Sequence, residues 1–237
     1  MQGTVDAVYI LGEGSKYKDE EIRYSIRSLC MHVSNLRRLC IVGKLPAFLK
    51  VWRHIPFASP FPCKDANIAG AMLLACRDPK ISDPFLCCHD DHFMLLNYDA
   101  ATFPAWYRGK VFRSSNKRYD HDLKSAEAIL IRYGIKDPVS FETHTPILIH
   151  KTDMIRAFRA ILLERDCFTA KSIYANQCDK LKKEYVEDYK IKPPDIDWSR
   201  LKGRPCFSVS PEIPENVWTM LKRLYPKPSP FEKDQKK

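Results

Sequence analysis

VDAVYIL, residues 5–11, is a nearly continuous apolar run rich in β-branched side chains, and GEGS, residues 12–15, follows it directly. A run of this kind predicts a buried strand that ends in a tight loop. Beyond the loop, residues 20–30 carry apolar side chains at helical spacing, and Asp19 stands in the position of a helix N-cap. The chain is therefore predicted to open with a strand, a loop and a helix.

The same alternation continues along the chain. Residues 36–42 repeat the buried-strand pattern, and residues 65–76 predict a helix capped by Asp65. Residues 84–88 (PFLCC) predict a third buried strand, which breaks abruptly into residues 89–92 (HDDH). Alternating strands and helices favour an α/β fold, with a mostly parallel sheet covered on both faces and ligands at the carboxyl ends of its strands.

The rest of the chain predicts two strands, two helices and an extension. The strands are residues 110–112 and 147–149, and the helices are residues 123–133 and 154–163. Proline becomes frequent beyond residue 191, and residues 227–237 are predicted to be a frayed tail. We therefore expect a main domain over residues 1–190 and a Pro-rich extension over residues 191–237 that packs on it or trails from it.

Composition places the chain among soluble globular proteins. Of its 237 residues 45% are hydrophobic and 29% charged, and no apolar run approaches the ~18 residues that a membrane span needs. The N-terminus lacks the basic start and apolar core of a secretory signal, so we expect a cytoplasmic protein. The 9 cysteines have no C-x-x-C spacing and are expected to be reduced, buried thiols rather than a structural zinc site.

The net charge of +10, from 39 Lys+Arg against 29 Asp+Glu, suits a protein that binds polyanions or phosphorylated ligands. Solubility is the alternative explanation, because the lysines are scattered and the densest basic stretches also contain acids or lie near the C-terminus. Charge alone does not choose between these ligands.

The most specific local feature is the acidic pair Asp90 and Asp91 directly after a predicted buried strand. Two adjacent carboxylates beside an apolar strand are costly unless a cation or several donors neutralise them. Mg²⁺ or Mn²⁺ would do so, and such ions are commonly shared with substrate phosphates. A strand-ending turn in which the acids cap the next element is the alternative. His89 and His92 are each a third ligand or a packed histidine.

Four cations and one histidine are further candidates. Arg23 and Arg27 lie four residues apart on one predicted helix face, where they form either a phosphate or carboxylate site or a solvated surface. Lys117 and Arg118 belong to a donor-rich stretch suited to anion contact or to a polar loop. His144 precedes a predicted strand. There it is a further ligand in the coordination sphere of a metal, a residue that acts on an acceptor, or a histidine with a structural role.

Taken together, the segments resemble the Stealth family of sugar-phosphate transferases and, more loosely, GT-A glycosyltransferases. They cover most of the first 155 residues in the family's order. The matching pieces are residues 6–9 (DAVY), 21–29 (EIRYSIRSL) and 41–49 (IVGKLPAFL), Asn67, residues 81–86 (ISDPFL) running into 90–93 (DDHF), and residues 144–146 (HTP) with Lys151.

The resemblance implies a nucleotide-binding crevice, a metal held by Asp90 and Asp91, and transfer of a sugar or sugar phosphate from an activated donor. The expected fold is a single GT-A-like, Rossmann-like domain. Two departures bear on this: GEGS at residues 12–15 replaces the family's usual Trp-Val-Asp-Gly-like stretch, and the chain is short for a capsule-polymerising enzyme. Donor and acceptor can therefore differ from those of the family.

Our first hypothesis is a metal-dependent glycosyl or sugar-phosphate transferase that uses a nucleotide-sugar donor. Asp90 and Asp91 would hold Mg²⁺ or Mn²⁺, with Asp91 and His144 in the catalytic site and His144 as third metal ligand or acceptor-side base. The donor phosphates would be bound by the cations named above: Arg23, Arg27, Lys117 and Arg118.

The acceptor stays open between a sugar, a lipid-linked molecule and DNA. A viral-type DNA glycosyltransferase acting on a modified base is the alternative within the same chemistry, because a charge of +10 suits a polyanionic acceptor. A third hypothesis is a nucleic-acid-binding module without catalysis. It assigns no role to Asp90 and Asp91, which would repel phosphate unless a metal intervened.

Overall fold

The structure is a computed structural model that describes residues 3–110, 112–163, 165–192 and 197–233. Its strands are β1 (Val5–Leu11), β2 (Val33–Ser34), β3 (Leu36–Gly43), β4 (Arg53–Ile55), β5 (Phe85–Cys88), β6 (His92–Met94), β7 (Tyr98–Asp99), β8 (Ala105–Tyr107), β9 (Ile147–Ile149), β10 (Lys183–Tyr185), β11 (Lys190–Ile191) and β12 (Cys206–Val209). Its helices are α1 (Glu20–His32), α2 (Lys64–Arg77), α3 (Lys117–Arg132), α4 (Lys151–Ala157), α5 (Ala170–Gln177) and α6 (Glu215–Leu224), with 3₁₀ turns at Ala100–Thr102 and Trp198–Leu201.

The central sheet has the strand order β4-β3-β1-β5-β9. β1 is parallel to both β3 and β5, β4 is parallel to β3, and β9 runs antiparallel to β5. The prediction of an α/β fold with a largely parallel sheet is confirmed. The chain builds outward from β1 to β3 and β4 and then returns to the other side of β1 with β5. This reversal places a topological switch point between β1 and β5.

The main core lies on both faces of this sheet. Every residue of β1 is buried, as the continuous apolar run predicts. From α1, Ile22, Ile26 and Leu29 are at most 1% exposed, so the helical spacing seen in the sequence is the buried face. At about 25 cal/mol for each Å² of apolar surface removed from water, such faces dominate the free energy of folding.

A second, smaller sheet joins the C-terminal part of the chain to the site region. β6 pairs antiparallel with β12, and β12 pairs parallel with β11. Phe93 stacks on Phe207 with ring centroids 5.1 Å apart, and the Tyr225 hydroxyl donates to the Met94 carbonyl at 2.7 Å. β11 spans the predicted boundary at residues 190 and 191, and α6 contributes to the same apolar cluster.

Both predicted side-chain caps are wrong. Asp19 is the N-cap of α1, but its backbone is left-handed (φ 65°) and its side chain does not cap the helix. Its carboxylate instead binds Lys44 at 2.8 Å. α2 begins one residue earlier than predicted, so Cys63 is its N-cap and Asp65 lies in its first turn.

Two predicted helices also have other bounds, and one predicted strand is not found in the described residues. α3 begins at Lys117 because Asn116 caps it, accepting from the Tyr119 N–H at 3.2 Å. α4 ends at Ala157 rather than continuing to residue 163. Lys110 and Phe112 are not in a strand, and Val111 lies outside the described residues.

All 9 cysteines are free thiols and 7 of them are buried, as predicted. Among the residues that the structure describes, no helix is both long and apolar enough to cross a membrane.

Candidate functional site

The candidate site lies at the carboxyl ends of β1 and β5. Because these strands are parallel neighbours, the loop at residues 12–15 and the segment at residues 89–91 emerge at the same edge of the sheet. Ligands of open α/β sheets bind in the crevice at this position. The acidic pair found in the sequence therefore stands at the switch point.

α1 holds the acidic segment in place through two serines. The Ser25 hydroxyl donates to the His89 carbonyl at 3.2 Å and lies 3.0 Å from the Tyr9 hydroxyl. One turn later, the Ser28 hydroxyl accepts from the Met94 N–H at 3.0 Å. These bonds fix the backbone on both sides of the two aspartates.

Asp91 is held as an anion by two partners. Its Oδ2 lies 3.0 Å from His144 Nδ1 and 3.6 Å from Lys190 Nζ. Burial disfavours the charged carboxylate, but His144 and Lys190 outweigh burial and hold the pKa of Asp91 well below its usual range. The side chain of His144 is 37% exposed, so its ring is accessible to solvent.

Asp90 has the opposite electrostatic environment. Burial raises the pKa of Asp90 to about 7, and the charges of Asp91 and Glu21 add to this shift. Glu21 is 8% exposed, and its Oε2 has no hydrogen-bond donor in the described part of the chain. Lys64 lowers the pKa of Asp90 only in part. Two adjacent carboxyl groups thus titrate far apart, an arrangement that is frequent in functional sites.

Lys171 positions the backbone that carries His144. This buried lysine of α5 donates to the carbonyls of Thr143 and Thr145, the residues on either side of His144. The two threonine hydroxyls lie 2.7 Å apart. Sequence reasoning missed Lys171, although a lysine inside the otherwise apolar and small stretch AKSIYA, residues 170–175, is a signal for a buried cation.

His92 is a packed histidine rather than a ligand in this arrangement. It is 1% exposed, and its ring centroid lies 6.3 Å from that of Tyr9. Burial lowers the pKa of His92 to about 3, and neither ring nitrogen has a partner among the described residues. Its side chain is therefore neutral at physiological pH.

Arg23 and Arg27 lie on a different face of α1. Both guanidinium groups donate to the Glu232 carboxylate at 2.7 Å, and Arg23 also binds Glu20. Arg23 and Ser25 are separated by about 200° around the helix axis, so the structure does not bring the two arginines to Asp90 and Asp91. They bind a carboxylate of the same chain, and an anion site is one of the two alternatives that their spacing left open.

The partner of these arginines, Glu232, belongs to a C-terminal strap, residues 229–233. The strap pairs with residues 47–50, since Lys50 N–H donates to the Phe231 carbonyl at 2.7 Å and Lys233 N–H to the Phe48 carbonyl at 2.8 Å. The prediction of a frayed tail is therefore wrong for these residues, and residues 234–237 lie outside the described chain.

Lys117 and Arg118 lie in the first turn of α3, and both are exposed. Neither makes an ion pair with another described residue. Their charged ends are thus available to an anion at the start of the helix, where the helix dipole adds to the attraction.

The acidic segment would offer a divalent cation two carboxylates, those of Asp90 and Asp91. No three His, Cys, Asp or Glu side chains within the described ranges converge into a complete ligand set. Asp90 and Asp91 would therefore supply two carboxylates, and water and substrate phosphates would fill the remaining positions, as is usual for Mg²⁺. The orphaned Glu21 oxygen and the unneutralised Asp90 agree with a cation here, whereas the His144 Nδ1 is already bound to Asp91.

Comparison of the chain with models of known protein families gives no match, and comparison with curated proteins gives no significant match. Support for a function of this site therefore comes from its geometry and from the sequence resemblance.

Proposed function

We propose that this protein is a GT-A-like glycosyl or sugar-phosphate transferase that uses a nucleotide-sugar donor. The observation that carries the proposal is the contact of 3.0 Å between Asp91 and His144 at the switch point of the sheet. An acceptor hydroxyl needs a base to become a nucleophile, and a histidine oriented by a half-buried carboxylate is suited to that task.

His144 is the acceptor-side base in this proposal. Because Nδ1 is bound to Asp91, Nε2 is the nitrogen that would take the proton of the acceptor hydroxyl. Asp91 fixes the orientation of the ring and stabilises the imidazolium that forms, as carboxylates do in other histidine bases. Lys171 holds the His144 backbone while this happens.

The donor phosphates require positive charge at the same edge of the sheet. A divalent cation bound by Asp90 and Asp91 would neutralise charge that develops on the nucleotide leaving group. Lys117 and Arg118 are the exposed cations that would bind the same phosphates through their ammonium and guanidinium donors. Arg23 and Arg27 would bind the donor phosphates only if the Glu232 carboxylate moved away from them.

Asp90→Asn is predicted to weaken Mn²⁺-dependent donor binding by about tenfold or more, because one carboxylate ligand is lost. Stability without metal should stay equal or rise, since a buried acid beside like charges is neutralised. Calorimetric titration of nucleotide sugars with and without Mn²⁺ measures this effect.

Asp137→Asn is the matched control, because Asp137 is exposed and, among the described residues, pairs only with Lys110 at the surface. Equal donor affinity and equal Mn²⁺ dependence in Asp90→Asn and wild type would contradict the metal assignment. A loss of stability without any metal effect would assign Asp90 a structural role instead.

DNA as the acceptor is favoured by the net charge of +10. Affinity for duplex DNA should then fall steeply with salt, with a log–log slope of about −0.9 per neutralised phosphate. Transfer to modified DNA, free sugar and lipid-linked acceptors, measured at low and high salt, tests this. Transfer to a small acceptor with no response to DNA would reject the DNA acceptor and leave the transferase in place.

A further inference from the structure

Arg23 and Arg27 converge on one anion with both of its oxygens bound. The Arg27 guanidinium donates through Nε to Oε1 and through Nη2 to Oε2 of Glu232, each at 2.7 Å, and Arg23 Nη1 donates to Oε2 at 2.7 Å. The Ser229 N–H adds a fourth donor, to Oε1 at 2.8 Å. A two-pronged guanidinium contact of this kind binds carboxylate and phosphate groups alike.

Contacts outside the strap hold both arginines in this orientation. Arg23 binds Glu20 through Nε at 2.7 Å and Nη2 at 2.8 Å, and its guanidinium carbon lies 3.8 Å from the centre of the Phe48 ring. Arg27 Nη1 donates to the Tyr225 carbonyl at 3.3 Å. The two guanidinium groups would therefore keep their direction if the strap moved away, and the site is preorganised for an anion.

The arginine pair lies near the edge of the sheet where the acidic segment stands. Lys44, the first residue after β3, binds Asp19 at the start of α1, and its N–H donates to the Leu11 carbonyl at the end of β1. α1 therefore starts at the carboxyl ends of β1 and β3. Arg23 lies four residues beyond Asp19, about 6 Å along the helix axis. Open α/β sheets bind their ligands at this edge.

The strap covers the arginine pair from the C-terminal end of the chain. Besides the ion pairs of Glu232, the strap is attached by two backbone hydrogen bonds to residues 48 and 50 and by the partly buried Phe231. Segments near a chain end open at a lower cost in free energy than core elements do. The Glu232 side chain is 5% exposed, so an anion from solvent reaches the arginines only after the strap has opened.

We propose that Arg23 and Arg27 form a binding site for a phosphate group, and that the strap closes this site with the Glu232 carboxylate in the place of the phosphate. A phosphate bound there displaces the strap, because the two anions need the same N–H donors. The strap is then a competitor of the phosphate ligand within the same chain. Only the identity of that ligand, the diphosphate of a nucleotide donor, rests on the proposed function.

The affinity for inorganic pyrophosphate, measured by calorimetric titration, tests the site directly. Glu232→Gln should bind pyrophosphate at least about tenfold more tightly than wild type, because a neutral amide competes less well for charged donors than a carboxylate does. Adding Arg27→Gln to Glu232→Gln should remove this gain. Glu212→Gln is the matched control, since Glu212 is exposed in a surface pair with Lys16, and it should bind as wild type does.

Hydrogen exchange in wild type follows the strap itself and needs no variant to fold. The Lys50 N–H donates to the Phe231 carbonyl at 2.7 Å, so this amide should exchange faster when pyrophosphate displaces the strap. The Trp52 N–H is the internal control, because it donates to the Leu39 carbonyl at 2.9 Å. Its exchange should not change.

Three results would overturn the inference. Equal pyrophosphate affinity in Glu232→Gln and wild type would show that the carboxylate does not compete for the site. A gain that survives Arg27→Gln would place the anion elsewhere. Pyrophosphate binding by wild type without faster exchange at Lys50 would show that the strap stays closed. None of these measurements involves sugar transfer, so this site and the transferase assignment can fail separately.

Discussion

Replacing His144 with alanine is expected to lower kcat for sugar transfer by about 10²- to 10⁴-fold, the usual contribution of a general base. The imidazole that would accept the acceptor proton is removed, while Asp90 is untouched. Donor affinity should therefore change little, so the loss should appear in kcat rather than in donor KM. Initial rates at saturating donor and acceptor measure the effect.

His32→Ala is the control for this variant. His32 lies at the end of α1 and its ring binds Asn97 at 2.9 Å, away from the acidic segment. It should keep wild-type kcat. An unchanged kcat in His144→Ala would remove the base from the mechanism, and a large rise in donor KM alone would make His144 a binding residue.

Replacing Glu232 with alanine is expected to destabilise the fold by about 3 to 5 kcal/mol, the cost of breaking a buried ion pair from one side. The Glu232 side chain is 5% exposed, and Arg23 and Arg27 are 10% and 11% exposed. Both guanidinium groups would lose their common partner, and the strap would lose its anchor. Urea unfolding of wild type and of Glu232→Ala measures the difference in the free energy of unfolding.

Glu212→Ala provides the comparison, because Glu212 is a glutamate 79% exposed in a surface pair with Lys16. Its removal should leave stability nearly unchanged. Equal stability of Glu232→Ala and wild type would show that the strap is dispensable.

The same carboxylate predicts a dependence on pH. Although burial opposes ionisation, Arg27, the Ser229 N–H and Arg23 lower the pKa of Glu232 from 4.5 to about 2. A carboxyl whose folded pKa is depressed stabilises the fold above its unfolded pKa, and this contribution disappears as pH falls through the folded value. The stability difference between wild type and Glu232→Gln should therefore shrink between about pH 4.5 and 2. A constant difference over that range would contradict the ion pair.

The spacing of apolar residues along the chain is enough to predict the central strands and the first helix of the fold. β1 and the buried face of α1 follow from apolar periodicity, and the acidic pair at the end of β5 follows from the break after PFLCC. The predicted side-chain caps are wrong because an acid near a helix start can bind other partners, as Asp19 binds Lys44.

Contacts between distant residues could not be predicted. Glu232 and Arg23 are 209 residues apart in the chain, and no local pattern links them, so the sequence predicts a frayed tail where the structure has the strap. Likewise, the different titration of Asp90 and Asp91 depends on Glu21, His144 and Lys190, which the fold brings together. A single sequence gives the types of these residues but not which of them lie close together in the folded structure.

The most direct test of the transferase assignment is nucleotide release from a panel of nucleotide sugars with Mn²⁺, followed for wild type and for His144→Ala and Asp90→Asn. Glycosyl transfer releases the nucleoside diphosphate, and sugar-phosphate transfer releases the nucleoside monophosphate. The proposal predicts that wild type cleaves at least one donor, that Mn²⁺ is required, and that both variants lose transfer. If no donor is cleaved and neither donors nor Mn²⁺ raise the unfolding temperature while DNA does, the protein is a nucleic-acid-binding module and the transferase assignment is contradicted.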